Sequence, residues 1–376
     1  MYCIQKIVIK IGSAVLTNPD KSLNNKVLVH LAEQIAELYE EGHQILVVSS
    51  GAVASGRNII DFTDEKRRQV RRQMYAGLGQ GHLMWKYHNV FSKHDIPIAQ
   101  CLITRDNFAD RTEYQNLVNT LEGYLRFRVI PILNENDIVA NNGVTFNGND
   151  FLAALTAVSI KADKLIILSD IDSLYDKDPR LNPDAKPIHI VEKIDAELEK
   201  KCGGSSSSMG LGGMIAKVQA IKIASEAGIK TFLGRGTAAN ILHDLVDTKK
   251  PVGTYFKPQK AKKLSRFKHW LKHMSMPKGT VMVDDGAAAA LKKRKSLLMV
   301  GIKEISDGVE SKDTVYIVNT HNEPIGTGKI NYSSTEIKEA MKTGKNLKVI
   351  IHCDNLTIRG EFRVESSWSH QYSINS

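Results

Sequence analysis

No apolar run in this chain is long enough to cross a bilayer, so a membrane span is not expected. The N-terminus passes directly into a lysine-bearing strand pattern without signal-peptide features, which makes the cytoplasm the expected location. Cysteine is scarce and scattered. Cys3, Cys101, Cys202 and Cys353 form no C-x-x-C pair and have no histidine at zinc-ligand spacing, which excludes a disulfide scaffold and a cysteine-built metal site and reads as reduced thiols. The basic run Lys66-Arg67-Arg68 with Arg71 and Arg72 has no aromatics interleaved, and reads as a solvated helix face rather than a nucleic-acid site. Neither common nucleotide fingerprint is complete. Gly210-Leu-Gly-Gly-Met-Ile-Ala-Lys217 lacks the Gly-Lys-Ser/Thr ending of a Walker loop. Gly234-Arg-Gly236-Thr-Ala-Ala239 matches G-x-G-x-x-A, but no acidic residue follows at the spacing a dinucleotide ribose needs.

What is present is an ordinary globular composition, 42% hydrophobic and 24% charged, on 376 residues. That length exceeds what one core usually serves, so one large and one small domain are expected. The net charge of +10 is uneven: residues 1–256 hold 30 Lys+Arg against 29 Asp+Glu, and residues 257–376 hold 21 against 12. The C-terminal excess fits either a solvated basic surface or a polyanion-binding module.

Through residue 250, strand-like runs alternate with helical patterns, the signature of an α/β domain with a mostly parallel sheet. Strands are expected over 4–11, 44–49, 129–133, 164–168 and 230–233. Helices are expected over 64–93, 112–125, 149–161, 213–227 and 237–247, and between the first two strands from the apolar stripe Leu28, Leu31, Ile35 and Leu38 opposite Glu33, Glu37, Glu40 and Glu41. The Gly/Ser-rich stretch 202–213 has little reason to pack and is expected to be mobile without ligand. Past a basic segment, short strands over 279–283, 297–300, 314–318 and 349–352, with a helix over 285–293, suggest a small β-rich domain. The resulting division is 1–256, a linker 257–277, 278–360, and a Ser-rich tail 361–376 expected to be disordered.

Two lysines carry the functional reading. Lys10 interrupts the buried run Ile7-Val-Ile-Lys-Ile11, and a buried ammonium requires an anionic partner. Lys217 falls in the first turn of an expected helix, where the macrodipole disfavours a cation unless an anion is near. Glycine turns follow two strands, at Lys10-Ile-Gly12-Ser13 and Val48-Ser-Ser50-Gly51-Ala52, where backbone N–H groups can approach phosphate oxygens. Asn134-Glu-Asn-Asp137 closes one strand, and Asn147-Gly-Asn149-Asp150 opens the next helix. Asp150 reads either as a helix N-cap or as the group holding both lysines. Ser169-Asp170 begins a turn-rich loop at the end of another strand.

Taken together, Lys10-x-Gly-Ser13, Val48-Ser-Ser-Gly-Ala-Val-Ala-Ser-Gly56, Asn134-Glu-Asn-Asp137, Gly148-Asn-Asp150, Leu174-Tyr-x-x-Asp-Pro179 and Gly212-Gly-Met-x-x-Lys217 closely resemble the amino-acid kinase family. Residues 278–356 resemble a PUA domain. The resemblance implies a three-layer αβα sandwich with a mostly parallel central sheet, followed by a small β-rich PUA-like barrel. It points to those members that phosphorylate the side-chain carboxylate of L-glutamate with ATP and Mg2+, the first step of proline biosynthesis. Lys10, Asp150 and Lys217 would then be catalytic. Ser50, Gly51, Asp137 and Asn149 would hold glutamate, while Lys10, Gly12, Ser13, Ser169, Asp170, Leu211, Gly212, Gly213, Met214 and Lys217 would face ATP. The protein ligands of the metal stay unknown. The resemblance also admits proline as a feedback inhibitor, nucleic acid as a partner of the PUA-like domain, and a homo-oligomer without membrane association. A kinase of another small acidic acceptor, and an RNA-binding protein with a degenerate kinase domain, stay open as alternatives. The chain departs from the family pattern at Leu211 and Ala216, where hydroxyl-bearing residues are usual, and at Cys353, where arginine is usual.

Overall fold

A computed structural model describes residues 4–140, 148–179, 181–202, 213–247, 252–259, 270, 274–275 and 277–358. The chain divides into two compact units, Met1–Asn107 with Thr112–Lys263, and Phe108–Arg111 with Leu264–Ser376. The expected mobile stretch, apart from its first and last residues, and the expected tail lie outside the described residues.

The first part of the chain forms β1 (Lys6–Ile11), α1 (Ser13–Leu16), α2 (Asn25–Glu40), β2 (Gln44–Ser49), α3 (Ala52–Arg57) and α4 (Arg68–Phe91). Next come β3 (Ile98–Ile103), α5 (Arg105–Ala109), α6 (Arg111–Arg126), β4 (Ile130–Glu135), α7 (Asn149–Ser159) and β5 (Lys164–Ser169). Three short strands, β6 (Leu174–Tyr175), β7 (Pro187–Ile188) and β8 (Ile190–Val191), precede α8 (Ala196–Cys202), α9 (Met214–Glu226), β9 (Lys230–Arg235), α10 (Ile241–Asp247) and β10 (Thr254–Phe256). One eight-stranded sheet has the order β3-β4-β2-β1-β5-β9-β10-β8. The six strands from β3 to β9 are mutually parallel, β10 runs antiparallel to β9, and β8 is parallel to β10.

Alternation along β1 decides which layer each side chain joins. Ile7, Ile9 and Ile11 enter one core with Leu28, Leu31 and Ile35 of α2, Leu83 and Tyr87 of α4, and Leu242 of α10. Val8 and Lys10 therefore face the opposite layer, where α7 packs on β1, β2, β4 and β5 and also against α9. Because β1 is central, with β2 on one side and β5 on the other, the strand order reverses beside it. In open α/β sheets a crevice forms at the carboxyl ends of the strands at such a point.

Several boundaries differ from the sequence reading for local reasons. The long helix starts at Arg68 rather than near residue 64, because Asp61 and Glu65 accept backbone N–H bonds from Thr63 and Arg67 and hold those residues in turns. The expected helix over 237–247 begins only at Ile241, after Asn240 at φ 54°. Strand β3 was not anticipated. It pairs on one side only, and its half-exposed sequence Ile-Ala-Gln-Cys-Leu-Ile gives a weak pattern.

Helices α3 and α4 cross unusually closely. A Cβ on Gly79 would lie 1.9 Å from the Ala52 carbonyl oxygen, a backbone atom that cannot step aside. Gly79→Ala is therefore expected to destabilise the first unit by about 3 kcal/mol, near the top of the usual overpacking range, as read from denaturant unfolding.

The second unit contains β11 (Gly279–Val283), α11 (Asp285–Lys292), β12 (Leu297–Leu298), β13 (Ile302–Ile305), β14 (Thr314–Val318), β15 (Pro324–Lys329), α12 (Ser334–Thr343), β16 (Val349–Ile351) and β17 (Leu356–Ile358). Five strands form a sheet in the order β13-β11-β14-β15-β17, and β12 pairs with β16. Val281, Val283, Leu291, Ile317, Ile337 and Ile350 belong to its separate core. The strand expected over 297–300 ends at Leu298, where Met299–Gly301 turns into a 3-10 helix. Helix α12, not anticipated, carries a capping box in which Ser333 and Glu336 satisfy each other's backbone N–H groups.

Candidate active site

The carboxyl ends of β1, β2, β4 and β5 open onto a cleft of about 1170 Å³. Its first boundary is the glycine turns. Gly51, at φ 108°, starts α3, and a Cβ there would also crowd Leu23 and Leu16 at 3.2 and 3.3 Å. Gly12 donates its N–H to the Leu168 carbonyl at 3.1 Å, and a Cβ on it would come within 3.2 Å of the Lys10 ammonium. Absence of that Cβ keeps the space beside the ammonium open.

Three charged residues meet on the α7/α9 side of the sheet. Lys10 Nζ lies 2.6 Å from Asp150 Oδ1, and Lys217 Nζ lies 3.6 Å from Asp150 Oδ2. Lys10 and Asp150 are 4% and 3% exposed, so this is a desolvated cluster carrying one net positive charge. Asp150 does not cap its helix; Gly148, at φ 103°, occupies the N-cap position, and the carboxylate of Asp150 is committed to the lysines. Lys217 sits in the first turn of α9, where Asp150 supplies the anion that the macrodipole requires. Burial lowers the Lys10 pKa from its ordinary value, and Lys217 adds to that, against the opposing pull of Asp150. Burial also works to raise the Asp150 carboxyl, but Lys10 and Lys217 outweigh it and hold the group below its ordinary range.

A polar wall adjoins this cluster. Asn149 Nδ2 donates to Ser50 Oγ at 3.0 Å and to Asn134 Oδ1 at 2.9 Å, and lies 3.3 Å from the Ser49 carbonyl oxygen. Asp137 also lines the cleft; burial raises its carboxyl pKa, while Arg72, 3.4 Å away, opposes the shift. At the end of β5, Ser169 donates its hydroxyl to Asp170 at 2.9 Å.

Lys10, Gly12, Ser13, Ser50, Gly51, Asp137, Asn149, Asp150, Ser169, Asp170, Gly213, Met214 and Lys217 all line this single cleft, whereas Leu211 and Gly212 lie outside the described residues. Arg68, Arg71 and Arg72, read from sequence as a solvated helix face, line the cleft too, with Arg72 half exposed and reaching Asp137. Asn134 was visible only as part of a polar cluster and had no assigned role. Its partner Gln80 was not singled out at all.

The model of the Amino acid kinase family matches residues 5–234, and that of the PUA domain matches residues 279–352. The chain belongs to the amino acid kinase family. Among curated relatives, a glutamate 5-kinase of Geobacter metallireducens is 39% identical over 366 residues, covering 94% of this chain and 98% of that protein. A glutamate 5-kinase of Dictyoglomus thermophilum is 40% identical over 347 residues, 92% of each chain. Among solved structures, a UMP kinase from Bacillus anthracis is similar at 15% identity and a TM-score of 0.48, covering 68% of this chain and 96% of that one. The family match spans β1 through most of β9, and so includes every strand and helix that brings a residue to the cleft.

Proposed function

We propose that this protein transfers the γ-phosphoryl group of ATP to the side-chain carboxylate of L-glutamate, giving L-glutamate 5-phosphate, the first step of proline biosynthesis. The observation that carries the reading is the buried Lys10–Asp150 pair joined by the half-buried Lys217 at the carboxyl end of the parallel sheet. Its relatives at 39% and 40% identity, glutamate 5-kinases matched over nearly their whole length, supply the acceptor.

The chemistry asks little of proton transfer. A glutamate side chain, with an ordinary pKa near 4.3, is already ionised at neutral pH, so no general base is required. What opposes reaction is bringing an anionic acceptor to an anionic phosphoryl group, and that is an electrostatic and positional problem. Lys10 and Lys217 supply two ammonium groups for the transferring phosphoryl oxygens, and Asp150 holds both in one place. Ser50, Gly51, Asp137 and Asn149 hold the glutamate, and the turns at Gly12–Ser13, Ser169–Asp170 and Gly213–Met214 lie against the nucleotide.

A magnesium ion bound with the phosphates would partly offset their charge. Both Asp150 oxygens already face ammonium groups, so the carboxylate left to approach such an ion near Lys10 is Asp170, which acts on Lys10 electrostatically. ADP release by the full chain, measured with glutamate and then with aspartate, acetylglutamate and UMP as acceptors, is expected to require glutamate. Turnover of another acceptor in its place would overturn the assignment. Adding proline to the same assay tests feedback inhibition, which is expected as a loss of glutamate-dependent turnover.

A further inference from the structure

Gln80 projects from α4 and is 7% exposed, and it is not among the residues lining the large cleft. Its Oε1 accepts a hydrogen bond from Asn134 Nδ2 at 2.9 Å, and Asn134 is itself 4% exposed. The Asn134 amide has its orientation fixed by the Glu135 backbone N–H, which can only donate, so its Nδ2 is the atom aimed at Gln80. Asn134 Oδ1 is left to accept from Asn149 Nδ2 at 2.9 Å and from the Glu135 backbone N–H at 3.0 Å. Turning the amide over would set its NH2 group against two other donors, so the orientation has one satisfied state. Asn149 Nδ2 in turn donates to Ser50 Oγ at 3.0 Å. A hydroxyl oxygen that accepts this bond keeps its own proton to give, and Ser50 faces the cleft.

We propose that Gln80 is a positioning residue for the phosphoryl acceptor: through Asn134 and Asn149 it sets the Ser50 hydroxyl as a hydrogen-bond donor toward the carboxylate of the bound amino acid. The relay runs from a helix on one layer to a glycine turn on the sheet, with each donor and acceptor assigned in sequence. Without the Gln80 acceptor, the buried Asn134 NH2 group loses this partner, which weakens the anchor of the Asn134–Asn149–Ser50 chain.

This inference rests on the glutamate kinase reading, and the test separates the two. Gln80→Met keeps the length and much of the shape of the side chain while removing its acceptor. It is expected to raise KM for glutamate about tenfold, the scale of a lost buried hydrogen bond, while KM for ATP changes less than about twofold. Ser50→Ala should raise the glutamate KM too, and the double variant should be no worse than Ser50→Ala alone, because both changes remove the same contact. Equal rises in both KM values, or effects that add in the double variant, overturn the proposal and leave Gln80 a packing residue. Where Gln80→Met does not fold, Gln80→Glu retains an acceptor and should keep the glutamate KM within about threefold of the unaltered chain, with a larger rise counting against the relay. A native chain that shows no glutamate-dependent ADP release removes the kinase reading first. A native chain that turns over glutamate beside an unaffected Gln80→Met variant removes only the role of Gln80.

Discussion

Lys10→Met is expected to lower glutamate-dependent ADP release by at least about 10²–10³-fold, the scale on which removal of one pre-positioned charge-stabilising group acts. The ammonium is held 2.6 Å from Asp150 in a desolvated site, so its charge is poorly screened and already oriented before substrate arrives. The same change leaves Asp150 buried with Lys217 as its remaining ion-pair partner, 3.6 Å away. Removing one member of a buried pair commonly costs about 3 kcal/mol or more, so a lower denaturation midpoint is expected as well. Circular dichroism at the assay temperature separates the two effects. A folded variant with turnover within tenfold of the native chain would take Lys10 out of the chemistry. Lys10→Arg should not restore activity, since the broader guanidinium must fit where a single added carbon on Gly12 would already come within 3.2 Å of the ammonium.

Asp150→Asn should cost at least as much at neutral pH and, unlike the lysine change, should show a recognisable pH signature. Burial already pulls the Lys10 pKa down, and Asp150 is the main group pulling it back. Without that carboxylate the ammonium sheds its proton at lower pH still, and Lys217 adds repulsion. A cation whose pKa has fallen is restored by acid, so relative activity of the variant should climb as the pH is lowered. Each pH unit above the shifted pKa removes about tenfold of the charged form. The native enzyme keeps its carboxylate pair and should lack this trend. The stability side has the opposite sense: Asp150 has a depressed pKa when folded, so its pairing contributes above about pH 4, where the unfolded group is ionised, and is lost as acid protonates it. A pH–rate profile of the variant parallel to that of the native chain would sink this account.

Much of the first unit was legible because its signals are local. The strand runs Ile7–Ile11, Gln44–Ser49 and Lys164–Leu168 are continuous and apolar, as strands buried on both faces must be, and the stripe on α2 has clear helical spacing. Lys10 stood out because a charge inside such a run demands a partner. What stayed hidden depends on groups far apart in sequence. Nothing local to Gln80 announces that its amide meets Asn134. Only the glycines at 77, 79 and 81, costly in a helix, hint that something packs closely there, and Gly79 does meet α3. Arg72 reads as surface in the sequence because it belongs to a basic run without interleaved aromatics; its head group is in fact half exposed, and its reach to Asp137 follows from how α4 lies beside the end of β4. In the second unit β15 was obscured by Gly326 and Gly328, which weaken a strand pattern.

The polar wall of Ser50, Asn134 and Asn149 is built from the ends of β2 and β4 and the start of α7, whereas the charged cluster also takes Lys217 from α9. The polar wall thus draws on residues within the first 150 of the chain, whereas the charged cluster also needs residue 217. A chain ending before α9 lacks Lys217 altogether, and is expected to show no glutamate-dependent ADP release.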